Sequence, residues 1–215
     1  MSEVDILVRL RHPNILSVFG LIDDDVTCLQ LVMAFASLGE LGVYLRQSTD
    51  SLPLDQQLGF CLQICYGLRY LHSQNVAHRD LKSLNILITK NTDGEMLLLI
   101  SDFGLSKEEI NATMVTSMGL GTPAWSAPEI LEQTRNPNYF LSDVFSFGVV
   151  VWEIVTRSIP FEGFNFLQLM RAVGVQGMKM TLSGNSGHHP TLVDIVDGCC
   201  ATAPTDRFFV VLLGC

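Results

Sequence analysis

Three short polar motifs, in a fixed order, constrain this chain more than any other feature. His78-Arg79-Asp80-Leu81-Lys82-Ser83-Leu84-Asn85 stands between a helical stretch and a strand-like one. Asp102-Phe103-Gly104 follows a second strand-like stretch, and Ala127-Pro128-Glu129 comes after a polar loop. Singly each is weak, because a tripeptide recurs by chance and an Asp in a loop is usually a turn residue. Jointly, in this order and this context, they are specific.

The scaffold around the motifs is legible from apolar periodicity. Val4, Leu7, Val8 and Leu10 lie at helical spacing, and His12-Pro13-Asn14 ends the pattern. Two β-rich runs follow, Ile15 to Ile22 and Thr27 to Phe35, separated by the turn-forming Asp23-Asp24-Asp25, and they predict an antiparallel pair. A Gly-containing link from Ala36 to Gly42 leads to a short helix near Leu45. Pro53 then marks the start of a long helix reaching about His72. Its stripe of Leu54, Leu58, Cys61, Leu62, Cys65, Leu68 and Leu71 predicts one face packed on a core. Short apolar pieces at Asn85 to Ile88 and Met96 to Ile100 follow. A strongly apolar helix is expected from Leu141 to about Thr156, with shorter helices near Asn165 to Val173 and Thr191 to Cys199.

With 215 residues and 48% hydrophobic content, the chain can bury one sizeable core, with room for a small second lobe. A net charge of −9 argues against nucleic-acid partners, whose phosphates need Lys and Arg. The first residues, MSEVDILVRLRHPN, contain acids and no apolar core of a secretory signal, so a cytoplasmic location is expected. The apolar run Val144 to Trp152 is bounded by Asp143 and Glu153, far short of the ~20 residues of a membrane span, and reads as a buried helix. The six cysteines lack metal-ligand spacing and are expected to be buried free thiols; His188-His189 is expected in a surface loop.

From about Glu3 through Arg207, the chain resembles a eukaryotic-type protein kinase of the tyrosine-kinase-like group of serine/threonine kinases. The resemblance implies an α+β, two-lobe fold: residues 1–36 as a remnant N-lobe with the end of its helix, two strands and the hinge, and residues 37–215 as a mainly helical C-lobe. It implies transfer of the ATP γ-phosphate to Ser or Thr of a protein substrate, with Mg²⁺. Asp80 would accept the acceptor hydroxyl's proton, and Asn85 and Asp102 would supply hard oxygen ligands to the metal. Lys82 would reach the γ-phosphate, and Thr122, in Gly121-Thr122-Pro123-Ala124-Trp125-Ser126, would hydrogen-bond toward Asp80 and Lys82. Met33 would be the gatekeeper, the backbone of Ala34 and Ala36 would meet adenine, and Leu87 would form the apolar floor beneath the base. Glu3 matches the helix glutamate that pairs with a phosphate-holding lysine in active members.

The same resemblance places a spine of Leu7, Val18, His78 and Phe103 on Asp143, and pairs Glu129 with Arg207. Arg79 would grip a phosphate added at Thr113, Thr116 or Ser117. Two departures stand out. The sequence starts two residues before Glu3, leaving no room for a glycine-rich loop and its lysine, and the end reads Cys199-Cys200 and Arg207-Phe208 followed by an apolar run. The expectation is therefore a truncated kinase with little or no activity by itself, since losing one preorganised charge-stabilising donor can cost ~10² to 10³ in rate. The competing expectation is a non-catalytic, kinase-like binding module.

Overall fold

The computed structural model describes residues 8–23, 29–47, 51–102, 123–182 and 187–208. β1 (Val18–Asp23) and β2 (Leu29–Met33) form the expected antiparallel pair, with a register irregularity between Val18 and Gly20. A second sheet runs β3 (Gly39–Glu40), β4 (Ile86–Lys90) and β5 (Met96–Ile100), all antiparallel neighbours. The two-residue β3 falls in what the sequence presents as a link; a run so short carries no alternation to read. The β4–β5 turn is made by Asn91, whose Oδ1 accepts from the backbone N–H of Asp93 at 3.0 Å and of Glu95 at 2.8 Å. Gly94 supplies the positive φ of 83° that this turn requires.

The first strand pair is joined to the larger body by the segment preceding it. Leu16 N–H donates to the Ile100 carbonyl and Ile100 N–H to the Asn14 carbonyl, both at 2.9 Å. Asn14, itself buried, also donates from Nδ2 to the Leu98 carbonyl at 3.1 Å.

Around the second sheet pack α1 (Leu41–Gln47), α2 (Leu54–Ser73), α3 (Pro128–Leu131), α4 (Tyr139–Thr156), α5 (Phe166–Leu169) and α6 (Pro190–Cys199). α5 continues into a wider π turn over Met170–Val175. Pro53 leads into α2 as its extended N-terminal flank, and Asn138 starts α4 by accepting from the N–H groups of Phe140 and Leu141. Asn165 and Gln168 form a reciprocal capping box at α5.

The buried face of α2 differs from the expected stripe. Cys61, Cys65, Leu68 and Leu71 are buried as read, but Phe60 and Ile64 join them, while Leu54 and Leu62 are exposed. Leu62 precedes Ile64 by two residues and so lies about 200° away around the helix. In a helix with apolar residues on several sides, three-and-four spacing can be drawn along more than one arc.

α4 is the centre of the core. Phe145, Phe147, Val149, Val150, Val151 and Ile154 are all essentially inaccessible. Its 18 residues would suffice by length and composition to cross a membrane, yet most of them are buried within the protein. α6 lies directly against it: a Cβ built on Gly148 would come 2.7 Å from Cys200 Sγ and 2.8 Å from Cys199 Cβ. Only glycine permits that approach. Cys61, Cys65, Cys199 and Cys200 are buried free thiols.

Candidate active site

Asp143 lies at the start of the buried stretch of α4, just after Ser142, and organises the loop above it. Its Oδ2 accepts from the His78 N–H at 2.7 Å, its Oδ1 from the Arg79 N–H at 2.8 Å, and His72 Nε2 lies 2.9 Å from Oδ2. A carboxylate this buried needs such partners. The grip has a backbone consequence, since Arg79 adopts φ 69°, a left-handed conformation that non-glycine residues adopt at a cost and that surrounding contacts must enforce. The Arg79 guanidinium stacks on the Tyr139 ring at 4.5 Å, and its buried Nε has no hydrogen-bond partner among the described residues.

His78 is buried beneath the same turn. Desolvation lowers its pKa despite the pull of Asp143 and Asp80, so the ring is neutral. Nε2–H then donates to the Ser101 carbonyl at 3.0 Å, and Nδ1 accepts the Asp80 N–H at 3.3 Å. One imidazole thereby joins the loop that carries Asp80 to the strand end that carries Asp102.

Above this support sit the polar groups. Asp80 Oδ2 is held between Lys82 Nζ at 2.7 Å and Asn85 Nδ2 at 3.1 Å, while the same Nδ2 donates to the Asp80 carbonyl at 2.9 Å. Asn85 is fixed from the other side by Ser101, whose N–H and Oγ–H donate to the Asn85 carbonyl at 2.9 and 3.0 Å. Ser101 Oγ also lies 3.3 Å from Asp102 Oδ2. Asp102 is exposed and has φ 55°, the second strained backbone at this site.

The donor set suits a hard divalent cation. With Nδ2 of Asn85 committed to Asp80, its side-chain oxygen and the Asp102 carboxylate are the oxygen donors on hand, few enough for an ion such as Mg²⁺ that keeps waters and phosphate oxygens. Among the described residues, no cluster of three or more His, Cys, Asp or Glu forms an all-protein metal cage.

The residues expected at the adenine site lie where β2 ends. Met33 is partly exposed, Ala34 and Ala36 half-buried. The Ala34 N–H donates to the Ser17 carbonyl at 2.9 Å, which leaves its carbonyl as the group able to face a ligand. β4 alternates strictly, with Ile86 and Ile88 in the core and Leu87 half-buried on the opposite face. Of the spine, Val18 and His78 are buried; Leu7 and Phe103 lie outside the described residues, as do Glu3, Thr122 and the hydroxyls of Thr113, Thr116 and Ser117.

The expected pairing of Glu129 with Arg207 is present. Arg207 Nη1 and Nη2 donate to Glu129 Oε1 and Oε2 at 2.6 and 2.7 Å, a bidentate pair. The remaining donors reach the carbonyls of Leu141, Thr202 and Ala201 at 2.9, 3.2 and 2.9 Å.

The family model for protein tyrosine and serine/threonine kinases matches residues 1–213. The chain belongs to the protein kinase family. This kinase domain is 34% identical over 211 residues to serine/threonine-protein kinase CTR1 of Arabidopsis thaliana, covering 96% of the chain and 25% of that protein. It is 35% identical over 208 residues to serine/threonine/tyrosine-protein kinase HT1 of the same plant, covering 96% and 50%. A mitogen-activated protein kinase kinase kinase of Drosophila melanogaster is 33% identical over 189 residues, covering 85% and 16%. The chain thus spans half or less of the length of these relatives. The kinase domain keeps the expected α+β architecture, with a small strand pair beside a mainly helical body.

His72 and Ser101 carry no signal in the sequence. Each is a common polar residue next to a motif, and only the fold brings it to Asp143 or Asn85.

Proposed function

We propose that this kinase domain transfers the γ-phosphate of ATP to Ser or Thr side chains of protein substrates. The arrangement of Asp80 carries the reading. Its carboxylate is fixed between an ammonium and a carboxamide, half-open to solvent, in the geometry of a group that receives a proton from an incoming hydroxyl.

Asp80 takes the hydroxyl proton and holds the acceptor oxygen in line. Lys82, already beside Asp80, swings its compact charge toward the transferring phosphate, and Thr122 steadies the acceptor side. Asn85 and Asp102 would hold Mg²⁺, which would supply neutralisation of phosphate charge. Met33, the backbone of Ala34 and Ala36, and Leu87 bind adenine, and Glu3 stands at the family position that would pair with a phosphate-binding lysine. Residues 1–36 act as the small lobe and 37–215 as the large one, a division supported by the separation of the β1–β2 pair from the second sheet. Phosphate added at Thr113, Thr116 or Ser117 would find Arg79.

The polypeptide of residues 1–215 carries no lysine ahead of Glu3. Assayed alone it is expected to transfer labelled γ-phosphate little or not at all, at least ~10² to 10³ below a complete kinase domain. The residual rate should vanish in Asp80→Asn. Transfer indifferent to Asp80→Asn would refute the assignment, and Mg-ATP thermal stabilisation without any product would point instead to a nucleotide-binding module.

A further inference from the structure

Near the end of α4 a second carboxylate interrupts the apolar run. Glu153 is 1% exposed, and its two oxygens are divided between different parts of the molecule. Ser83 Oγ–H donates to Oε1 at 2.8 Å and Trp125 Nε1–H donates to Oε2 at 2.6 Å. Ser83 begins the turn that holds Asn85 and directly follows Lys82. Trp125 ends the turn Pro123–Trp125 that leads through Ser126 to Ala127-Pro128-Glu129.

The seat is built tightly. A Cβ added to Gly42 in α1 would stand 2.6 Å from Ser83 Oγ and 3.1 Å from Leu84 Cδ2, so α1 approaches the Ser83 turn closely enough that only glycine fits there. Trp125 is held a second time, by Ser146 Oγ–H donating to its carbonyl at 2.8 Å.

We propose that Glu153 is a positioning residue for phosphoryl transfer: by accepting from Ser83 and Trp125 at once, it locks the turn bearing Lys82 and Asn85 to the segment that receives the protein acceptor. The proposal rests on the kinase reading above. Alignment of base and acceptor is where a small displacement is most costly, so a tie between the two loops acts on rate rather than on nucleotide binding.

The tie has a chemical asymmetry. The indole N–H can only donate, so Oε2 must stay an acceptor; the serine hydroxyl can donate or accept. A proton on Glu153 therefore resides on Oε1, where the Ser83 hydroxyl turns to accept it while the Ser83 backbone N–H still only donates. Burial pushes this carboxyl up to about 7, against the bonds from Trp125 and Ser83 and the charge of Arg46. Among the described charged groups, Arg46 from α1 acts on this carboxyl; Lys82 lies on Asp80, and Arg157 at the end of α4 donates from Nε to the Leu45 carbonyl at 2.8 Å. Gln imitates the protonated form, with its oxygen toward Trp125 and its amide toward Ser83. Leu removes both bonds.

The test uses residues 1–215, whose two tryptophans, Trp125 and Trp152, give two indole N–H resonances assignable with Trp152→Phe. The Trp125 resonance should titrate with a midpoint near 7, lose that titration in Glu153→Gln, and move in Ser83→Ala although Ser83 does not touch the indole. An indole insensitive to both Ser83→Ala and pH would overturn the tie. In phosphate transfer to a protein acceptor, Ser83→Ala and Glu153→Leu should lower kcat/KM about tenfold with KM for ATP unchanged. Glu153→Gln should stay within about threefold of the parent and flatten the pH profile near neutrality. An active parent unaffected by Ser83→Ala and Glu153→Leu would overturn the inference and leave the kinase reading standing. An inactive parent whose indole still titrates would count against phosphate transfer by residues 1–215 alone and leave the tie.

Discussion

Arg207 uses all five of its N–H donors: two on Glu129 and one each on the carbonyls of Ala201, Leu141 and Thr202, with the Phe145 ring 5.1 Å from its guanidinium carbon. Such a pair is hard to unmake one side at a time. Glu129→Ala leaves a buried cation with carbonyls alone, and a loss of about 3 to 5 kcal/mol is expected. Chemical denaturation should show it as a lower midpoint at unchanged slope. Arg207→Met should cost as much, and the double variant less than the sum, because removing both ions spares the orphaned charge. The pairing is legible only through the family resemblance, which implies it, as it implies the role of Asp143. Asp80, Asn85 and Asp102 stand in the motifs themselves. The left-handed backbones of Arg79 and Asp102 are not, since neither residue type announces a positive φ; the turn is imposed by Asp143 below and Ser101 beside it.

At the level of elements, α4 serves as the post on which the site is mounted: Asp143 in its second turn holds the His78–Arg79 turn, Ser146 and Glu153 hold Trp125, and Gly148 admits α6. Asp143→Ala should abolish transfer while α4 stays folded, because the His78 and Arg79 N–H groups lose the acceptor that enforces their turn. Gly148→Ala should destabilise by about 1 to 3 kcal/mol through overpacking against Cys199 and Cys200. The thiols give a second readout of this packing. Burial pushes Cys61 and Cys200 up to about 12 and Cys199 higher still. Native protein at pH 8 should therefore leave these sites unmodified by iodoacetamide over times in which the unfolded chain reacts fully. Modification of Cys199 as fast as a free thiol would contradict the packing. That α4 is a buried helix can be read from its composition. Which residues of α2 face it cannot, because Phe60, Leu54 and Leu62 are interchangeable by hydropathy and only the position of the neighbours distinguishes them.

For the whole molecule, two buried titrating groups pull the stability profile in opposite directions. His78 has its folded-state pKa lowered, so its contribution is complete above about 6.5, its unfolded value, and is lost as pH falls through the folded value. Glu153 is the reverse case: the folded protein holds its proton up to about 7, whereas the unfolded chain releases it near 4.5. Between those values the native state binds more protons, and stability contributed by Glu153 falls as pH rises. The effect amounts to a few kcal/mol, since each pH unit separating the folded from the unfolded value is worth on the order of 1.4 kcal/mol. Comparing the parent with Glu153→Gln isolates this contribution, because every other group is common to both. The variant should gain on the parent steadily from pH 5 to pH 7.5 in urea denaturation, and the difference should level off above that. A difference that stays constant across the range would mean that Glu153 is ionised throughout, and that Ser83, Trp125 and Arg46 together outweigh its desolvation.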